Sequence, residues 1–448
     1  MTRLNSYFMP GLYVEDHSIS VPLDWSDAQP GGYMGQSETI SLFYRVMCAP
    51  ERVHDDLPLL LFLQGGPGGT SPRPITPSSD AWIGEAIKHF RLVIPDQRGT
   101  GRSSLIDGAS FERIGSPSQQ AQYLRCFLAD SIVRDFEHLR LTQYPGQRWV
   151  SLGQSYGGFL TLTYLSAFPQ ALAASFTTGG IPPVPIDPRR VYERTFPRMR
   201  AKNREFYERY PQDMERVNAI ADRLSQGDVV LPNGDPLTVE RFQTLGHSFG
   251  MKPSFERLHW LLDTAFQGSD GSVPVHGSVQ LSQPFLVGVE QATTYSPLYW
   301  PLQEFVYADG NRGPIRWAGQ QVRDQNPDFA TVSRPLLFTG EVIFPWMFEQ
   351  ERNLRPFRDA VNLLMEEERW PQIFDCAQLS RNQVPLHSAV YYNDMYVDFD
   401  LQMETLSHVG NAHAWVTSDY EHDGIHEGGV FPHLFTSALE RGDLADLL

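Results

Sequence analysis

Ser155 has the setting that most suggests chemistry. It stands in Gly153-Gln154-Ser155-Tyr156-Gly157, directly after an apolar run ending at Leu152 and directly before a helical stretch, Phe159 to Ala167. A chain that passes from strand to helix in so few residues needs glycines beside the serine, and the turn lifts the serine oxygen above the sheet at a helix N-terminus. On its own such a pattern is often a plain turn. The strand before it and the helix after it favour a nucleophile. A serine hydroxyl is weak at neutral pH, so the chemistry calls for a histidine base and an acid that fixes the histidine tautomer.

Both partners can be sought further along the chain. Asp394 follows the β-like run Val384 to Tyr392 and is the preferred acid, with Asp398, Asp400 and the more distant Glu341 as competitors. His422 lies in the loop after Ala414 to Thr417 and is the preferred base, with His408, His413 and His426 as alternatives. A lone histidine in a turn is ordinarily a solvated residue; its place in the loop after the last strand, relative to Ser155 and Asp394, is what raises His422. His422 and His426 stand four apart, a metal-chelating spacing on a helix, but Gly424, Gly428 and Gly429 oppose a helix there, so neither metal nor cofactor is expected. Backbone donors for a developing oxyanion are expected from Tyr156, next to the serine, and from Gly66 in Gly65-Gly66-Pro67-Gly68-Gly69. The same glycine loop has neither the Walker lysine nor the GxGxxG spacing that phosphate binding would need.

Parallel strands would position these groups. Pro58 to Leu63 and Phe90 to Ile94 are continuous apolar runs that end in glycine loops, and Trp149 to Leu152 and Ala174 to Thr178 continue the series. A helical stretch at 117–142 falls between them. This rhythm of strand and helix implies a parallel sheet with both faces covered. Ser18 to Leu23 and Thr39 to Val46 predict a hairpin ahead of it. From about 187 to 384 charged helical stretches and aromatic-rich segments replace the pattern, which predicts an inserted, mainly helical cap; the sheet resumes at 385 and a helix near 431–445 closes the chain. The expected division is therefore 1–186 and 385–448 for the core and 187–384 for the cap.

Composition narrows the partners. The 448 residues carry a formal net charge of -17, and no basic run is present, which argues against nucleic acid. No apolar stretch has the length of a membrane span or the form of a secretory signal, so no membrane association and a cytoplasmic location are expected. The three cysteines, Cys48, Cys126 and Cys376, are odd in number and widely separated, which suggests no disulfide framework. Oligomeric state is not readable.

Leu63-Gln64-Gly65-Gly66-Pro67-Gly68, Asp96-Gln97-Arg98-Gly99-Thr100-Gly101, Gly153 to Gly158, Asp394 to Val397 and Tyr420 to Gly424 together resemble the larger-type prolyl aminopeptidases of the α/β-hydrolase superfamily. The similarity runs from about residue 15 to 435. Gln64 stands where shorter relatives carry His, and His426 where the family favours Arg. The resemblance implies an α/β-hydrolase fold, a triad of Ser155, Asp394 and His422, and release of N-terminal proline from small peptides. It also implies that cap carboxylates grip the substrate amine, with Glu304 preferred and Glu290 and Glu341 as further candidates. Gln64 borders the same site, and Tyr295, Trp300, Phe305 and Trp317 could wall a pyrrolidine pocket, although aromatics in a cap are mostly packing. The nearest alternative is an esterase or amidase of the same fold, since a fold does not select a substrate. An epoxide hydrolase would need a carboxylate where Ser155 stands, and a non-catalytic relative would lack a complete triad.

Overall fold

The computed structural model describes residues 2–268, 270–273, 279–294 and 298–448. Tyr295 lies outside the described residues. Nine strands form one sheet: β1 (Thr2–Met9), β2 (Leu12–Pro22), β3 (Thr39–Cys48), β4 (Leu59–Leu63), β5 (Arg91–Pro95), β6 (Trp149–Gln154), β7 (Leu172–Thr178), β8 (Leu386–Tyr391) and β9 (Ala412–Thr417). Their spatial order is β1-β2-β3-β5-β4-β6-β7-β8-β9. The pairings β1 with β2, β2 with β3 and β3 with β5 are antiparallel, and every pairing from β5 to β9 is parallel.

The apolar runs of the central strands follow from burial on two sides. In β4, Leu61 and Leu63 face a core that includes the helices Ala129–Gln143 and Tyr156–Ala167, while Leu60 and Phe62 face the helices Ala81–Ala86 and Val430–Glu440. All five β4 residues and all six of β8 are buried. The edge strand β9 is largely part-exposed and correspondingly mixed in composition. β1 was not foreseen: Thr2 to Met9 shows no clean alternation, and its pairing with β2 slips register between Arg3 and Asn5.

Between β7 and β8 the described residues contain helices, turns and two isolated bridges, Val230 to Pro236 and Phe266 to Leu281. The longest helix, Pro188–Arg209, starts at an Asp187 cap whose side chain accepts from the amides of Arg189 and Arg190. Its Phe206 packs against Tyr207, Tyr210, Phe249, Phe255 and Phe338, which gives this region an aromatic core of its own.

The loop after β5 is anchored by a fully buried ion pair. Arg98 donates to both oxygens of Asp135, at 2.5 and 2.7 Å, and to the carbonyls of Pro22, Leu23 and Cys126; Trp25 Nε1 donates to Asp135 at 2.8 Å. Its neighbour Gln97 then reaches the Gln64 carbonyl at 2.8 Å, tying this loop to the glycine loop after β4. Removing one member of a buried pair leaves the other charge uncompensated. Asp135→Ala should therefore lower unfolding free energy by about 3–5 kcal/mol in urea titrations; a loss under about 1 kcal/mol would show that Arg98 finds other compensation.

Candidate active site

Ser155 sits at the junction of β6 and the helix Tyr156–Ala167 with φ 54° and ψ -121°, a conformation few non-glycine residues adopt. Space around it is minimal. A Cβ on Gly157 would lie 1.9 Å from the Leu63 carbonyl oxygen, and one on Gly153 would lie 2.3 Å from the Gly157 oxygen, so both positions require glycine. Tyr156 opens the helix, where first-turn amides have no acceptor within the helix.

The structure brings Ser155, His422 and Asp394 together. His422 Nε2 lies 2.8 Å from Ser155 Oγ, and His422 Nδ1 lies 2.8 Å from Asp394 Oδ2. Asp394 follows β8 and is completely buried; its other oxygen accepts from the amides of Tyr396 at 2.8 Å and Val397 at 3.0 Å. Burial opposes the charged form of His422, but the adjacent Asp394 carboxylate and, beyond it, Glu341 outweigh this and hold its pKa above the ordinary value. The backbone of His422 donates to the Gly250 carbonyl at 3.0 Å, and the neighbouring Glu421 pairs with Lys202 at 2.5 Å, so two segments of the 187–384 region clasp the histidine loop.

The competing acids and bases are engaged elsewhere. Asp398 caps the helix Phe399–Leu406 and pairs with Arg198, and Asp400 pairs with Arg194. His408 bonds the Glu404 carbonyl and His413 bonds Asn411. His426 bonds Asp80 at 3.0 Å, in a cavity of about 380 Å³ that Gln64 and Arg73 also line.

The glycine loop approaches the serine closely. A Cβ on Gly65 would lie 3.1 Å from Ser155 Cβ, and Gly66 takes φ 115°, which a side chain would resist. Gly68 packs on the backbone of Leu298 and Tyr299, where a Cβ would come within 2.8 Å.

Two buried carboxylates share neighbours here: Tyr192 and Tyr307 face both Glu304 and Glu341, and Glu341 in turn bears on His422. Glu304 is completely buried; its Oε1 accepts from the Gly319 amide at 2.8 Å and its Oε2 has no hydrogen-bond partner among the described residues. Burial pushes its pKa up to about 8, against the opposing Gly319 amide and Tyr192 hydroxyl. Glu341 accepts a short hydrogen bond from Tyr299 and feels the charges of both His422 and Asp394. Burial raises its pKa too, and the Tyr299 bond and His422 work against the rise. Neither carboxylate is ion-paired among the described residues. Glu290, by contrast, accepts from the Asn233 amide at 2.9 Å and stabilises a turn. Trp317 is left-handed at φ 57°, packs on Phe348 and starts the helix whose Gly319 amide holds Glu304. Trp300 packs against His247 and Tyr299, and Phe305 stacks on Trp370. His247 and Tyr299 escaped the sequence reading because neither sits in a recognisable pattern.

Residues 58–223 match the family model of the alpha/beta hydrolase fold. The chain is 42% identical to a proline iminopeptidase of Aeromonas sobria over 424 residues, which covers 94% of this chain and 95% of that one. It is 34% identical to a proline iminopeptidase of Aspergillus aculeatus over 437 residues, covering 95% and 93% respectively. The chain belongs to the proline iminopeptidase family of α/β hydrolases. As a proline iminopeptidase relative it keeps the expected mostly parallel sheet, and no described helix is long and apolar enough to cross a membrane.

The buried Glu304 makes a stability prediction. Its pKa lies near 4.5 when unfolded and about 8 when folded, so the unfolded state ionises first and stability is lost as pH rises through that window. Glu304→Gln removes the ionisation. The variant should match the wild type in unfolding free energy below pH 4.5 and exceed it by up to a few kcal/mol above pH 8; a pH-independent difference would contradict the assignment.

Proposed function

We propose that this chain is a serine aminopeptidase that releases N-terminal proline from small peptides, with Ser155 as nucleophile, His422 as base and Asp394 as the acid that orients it. The observation that carries this reading is a pair of buried acids, Glu341 acting on His422 and Glu304 sharing the neighbours Tyr192 and Tyr307 with it, neither of them ion-paired among the described residues. Burial without a counter-charge pushes these acids toward their neutral forms, and a ligand that brings an ammonium group favours the ionised carboxylate that pairs with it. The proline iminopeptidases to which the chain is similar along nearly its whole length support the same substrate.

In this reading His422 Nε2 takes the hydroxyl proton as Ser155 Oγ attacks the proline carbonyl. The oxyanion is met by the amides of Tyr156 and Gly66. Collapse breaks the peptide bond, His422 returns the proton to the departing amine, and water then hydrolyses the prolyl ester by the same steps. No cofactor is needed. Residues 187–384 act as the cap over a core of 1–186 and 385–448, with Trp317 and Gln64 bordering the substrate. Peptides with a blocked amine leave the carboxylates unpaired and are rejected. Three cysteines without disulfides fit a cytoplasmic setting.

Initial rates on proline β-naphthylamide, its N-acetylated form and p-nitrophenyl acetate test this. The free-amine substrate should exceed the acetylated one in kcat/KM by about 10³-fold or more, and Ser155→Ala should abolish turnover. Ester cleavage without proline amide cleavage would replace the reading with an esterase.

A further inference from the structure

Glu341 is held by a chain of groups that the triad does not use. Tyr299 is buried and donates its one hydroxyl proton to Glu341. The same oxygen lies 2.9 Å from His247 Nε2, so with its own proton committed it accepts from that nitrogen. His247 is buried, and burial together with the charge on His422 pushes its pKa down to about 3, so it stays neutral and can serve as the N–H donor. The hydrogen bonds therefore all point one way, from His247 through Tyr299 to Glu341 Oε1.

This chain is also tied to the triad. The His247 carbonyl accepts from Tyr396 at 2.5 Å, and the Tyr396 amide donates to Asp394. Three residues beyond His247, the Gly250 carbonyl receives the His422 amide, and a Cβ on Gly250 would lie 2.3 Å from the Tyr396 ring. Tyr299 itself rests against Gly68 of the glycine loop. Segment 247–250 and Tyr299 thus touch the acid loop, the base loop and the loop proposed to bind the oxyanion.

We propose that Tyr299 and His247 are positioning residues: their directed hydrogen-bond chain holds Glu341 as an ionised carboxylate at a fixed place relative to Ser155, ready for the substrate ammonium. This rests on the reading that Glu341 takes part in amine binding. The groups that bear on Glu341 are Tyr299 and Gln303 from the 299–303 helix, His422 and Asp394 from the triad loops, and Tyr192 and Tyr307 across the pocket. Tyr192 and Tyr307 also face Glu304. Tyr299 makes the larger, and Gln303 the smaller, of two side-chain hydrogen bonds that favour the ionised form of Glu341 against its burial and against Asp394.

The test is steady-state kinetics on proline β-naphthylamide between pH 6 and 10 for the wild type, Tyr299→Phe, Glu341→Gln and the double variant. Tyr299→Phe should raise KM about 10- to 100-fold at neutral pH, the range lost with a hydrogen bond to a charged group, while kcat changes little. Without the donor Glu341 ionises less readily, so the acidic limb of the KM profile should move to higher pH. The double variant should be no worse than Glu341→Gln. His247→Leu should act like a weaker Tyr299→Phe, and His247→Gln, which keeps an N–H donor, should restore the wild-type profile; this pair carries the test if Tyr299→Phe does not fold. A fall in kcat with an unmoved pH limb, or full additivity in the double variant, would overturn the proposal while Glu341→Gln still raises KM. If Glu341→Gln leaves KM unchanged, the amine-binding reading of Glu341 falls with it.

Discussion

The backbone of Ser155 is the constraint on which the rest depends. A residue held at φ 54° and ψ -121° costs about 1–3 kcal/mol and persists only where its surroundings leave no alternative. Those surroundings are backbone on every side. A Cβ on Gly158 would lie 2.1 Å from the Gly180 oxygen, and one on Gly180 would lie 2.2 Å from the Ser155 oxygen. The helix Tyr156–Ala167 is thus pressed against β4 and the end of β7, and the strain is carried by the packing of the sheet. Because those strands are parallel, their C-terminal ends share one edge, and the loops bearing Gly66, Ser155, Asp394 and His422 meet there.

Charge organises the other half of the site. The core side holds one histidine and one fully buried acid whose oxygens are all occupied. The cap side holds two acids and no paired cation among the described residues. Burial raises the pKa of both acids, and under the proposed function an entering ammonium would favour their ionised forms and so discriminate against blocked amines. The contacts from Lys202 to Glu421 and from the His422 amide to the Gly250 carbonyl tie the 187–384 region to the loop that carries His422.

Much of this is legible in the sequence. The apolar runs of β4, β5, β6 and β7 read as strands because burial on both faces leaves no room for polar residues, and the turn at Ser155 read as an elbow because its glycines have a steric cause. Asp394 is favoured over its neighbours by its place at the end of the β-like run, and His422 by its place in the loop after the last strand. What stayed hidden depends on contacts across long sequence separations. His247 and Tyr299 are 52 residues apart, and Tyr299 and Glu341 are 42 apart, with no spacing to connect them. The resemblance ranks Glu304 above Glu290, but only the structure shows why they differ: Glu304 is completely buried and holds the Gly319 amide, while Glu290 holds a turn. β1 was missed because pairing with β2, more than its own pattern, makes it a strand.

The most direct measurement is of the covalent intermediate. The protein should be mixed with proline p-nitrophenyl ester, quenched in acid within milliseconds, digested and weighed by mass spectrometry. The account predicts one prolyl group on the peptide that contains Ser155 and none in Ser155→Ala. A prolyl group on any other residue, or turnover of the ester with no adduct at Ser155, would contradict it.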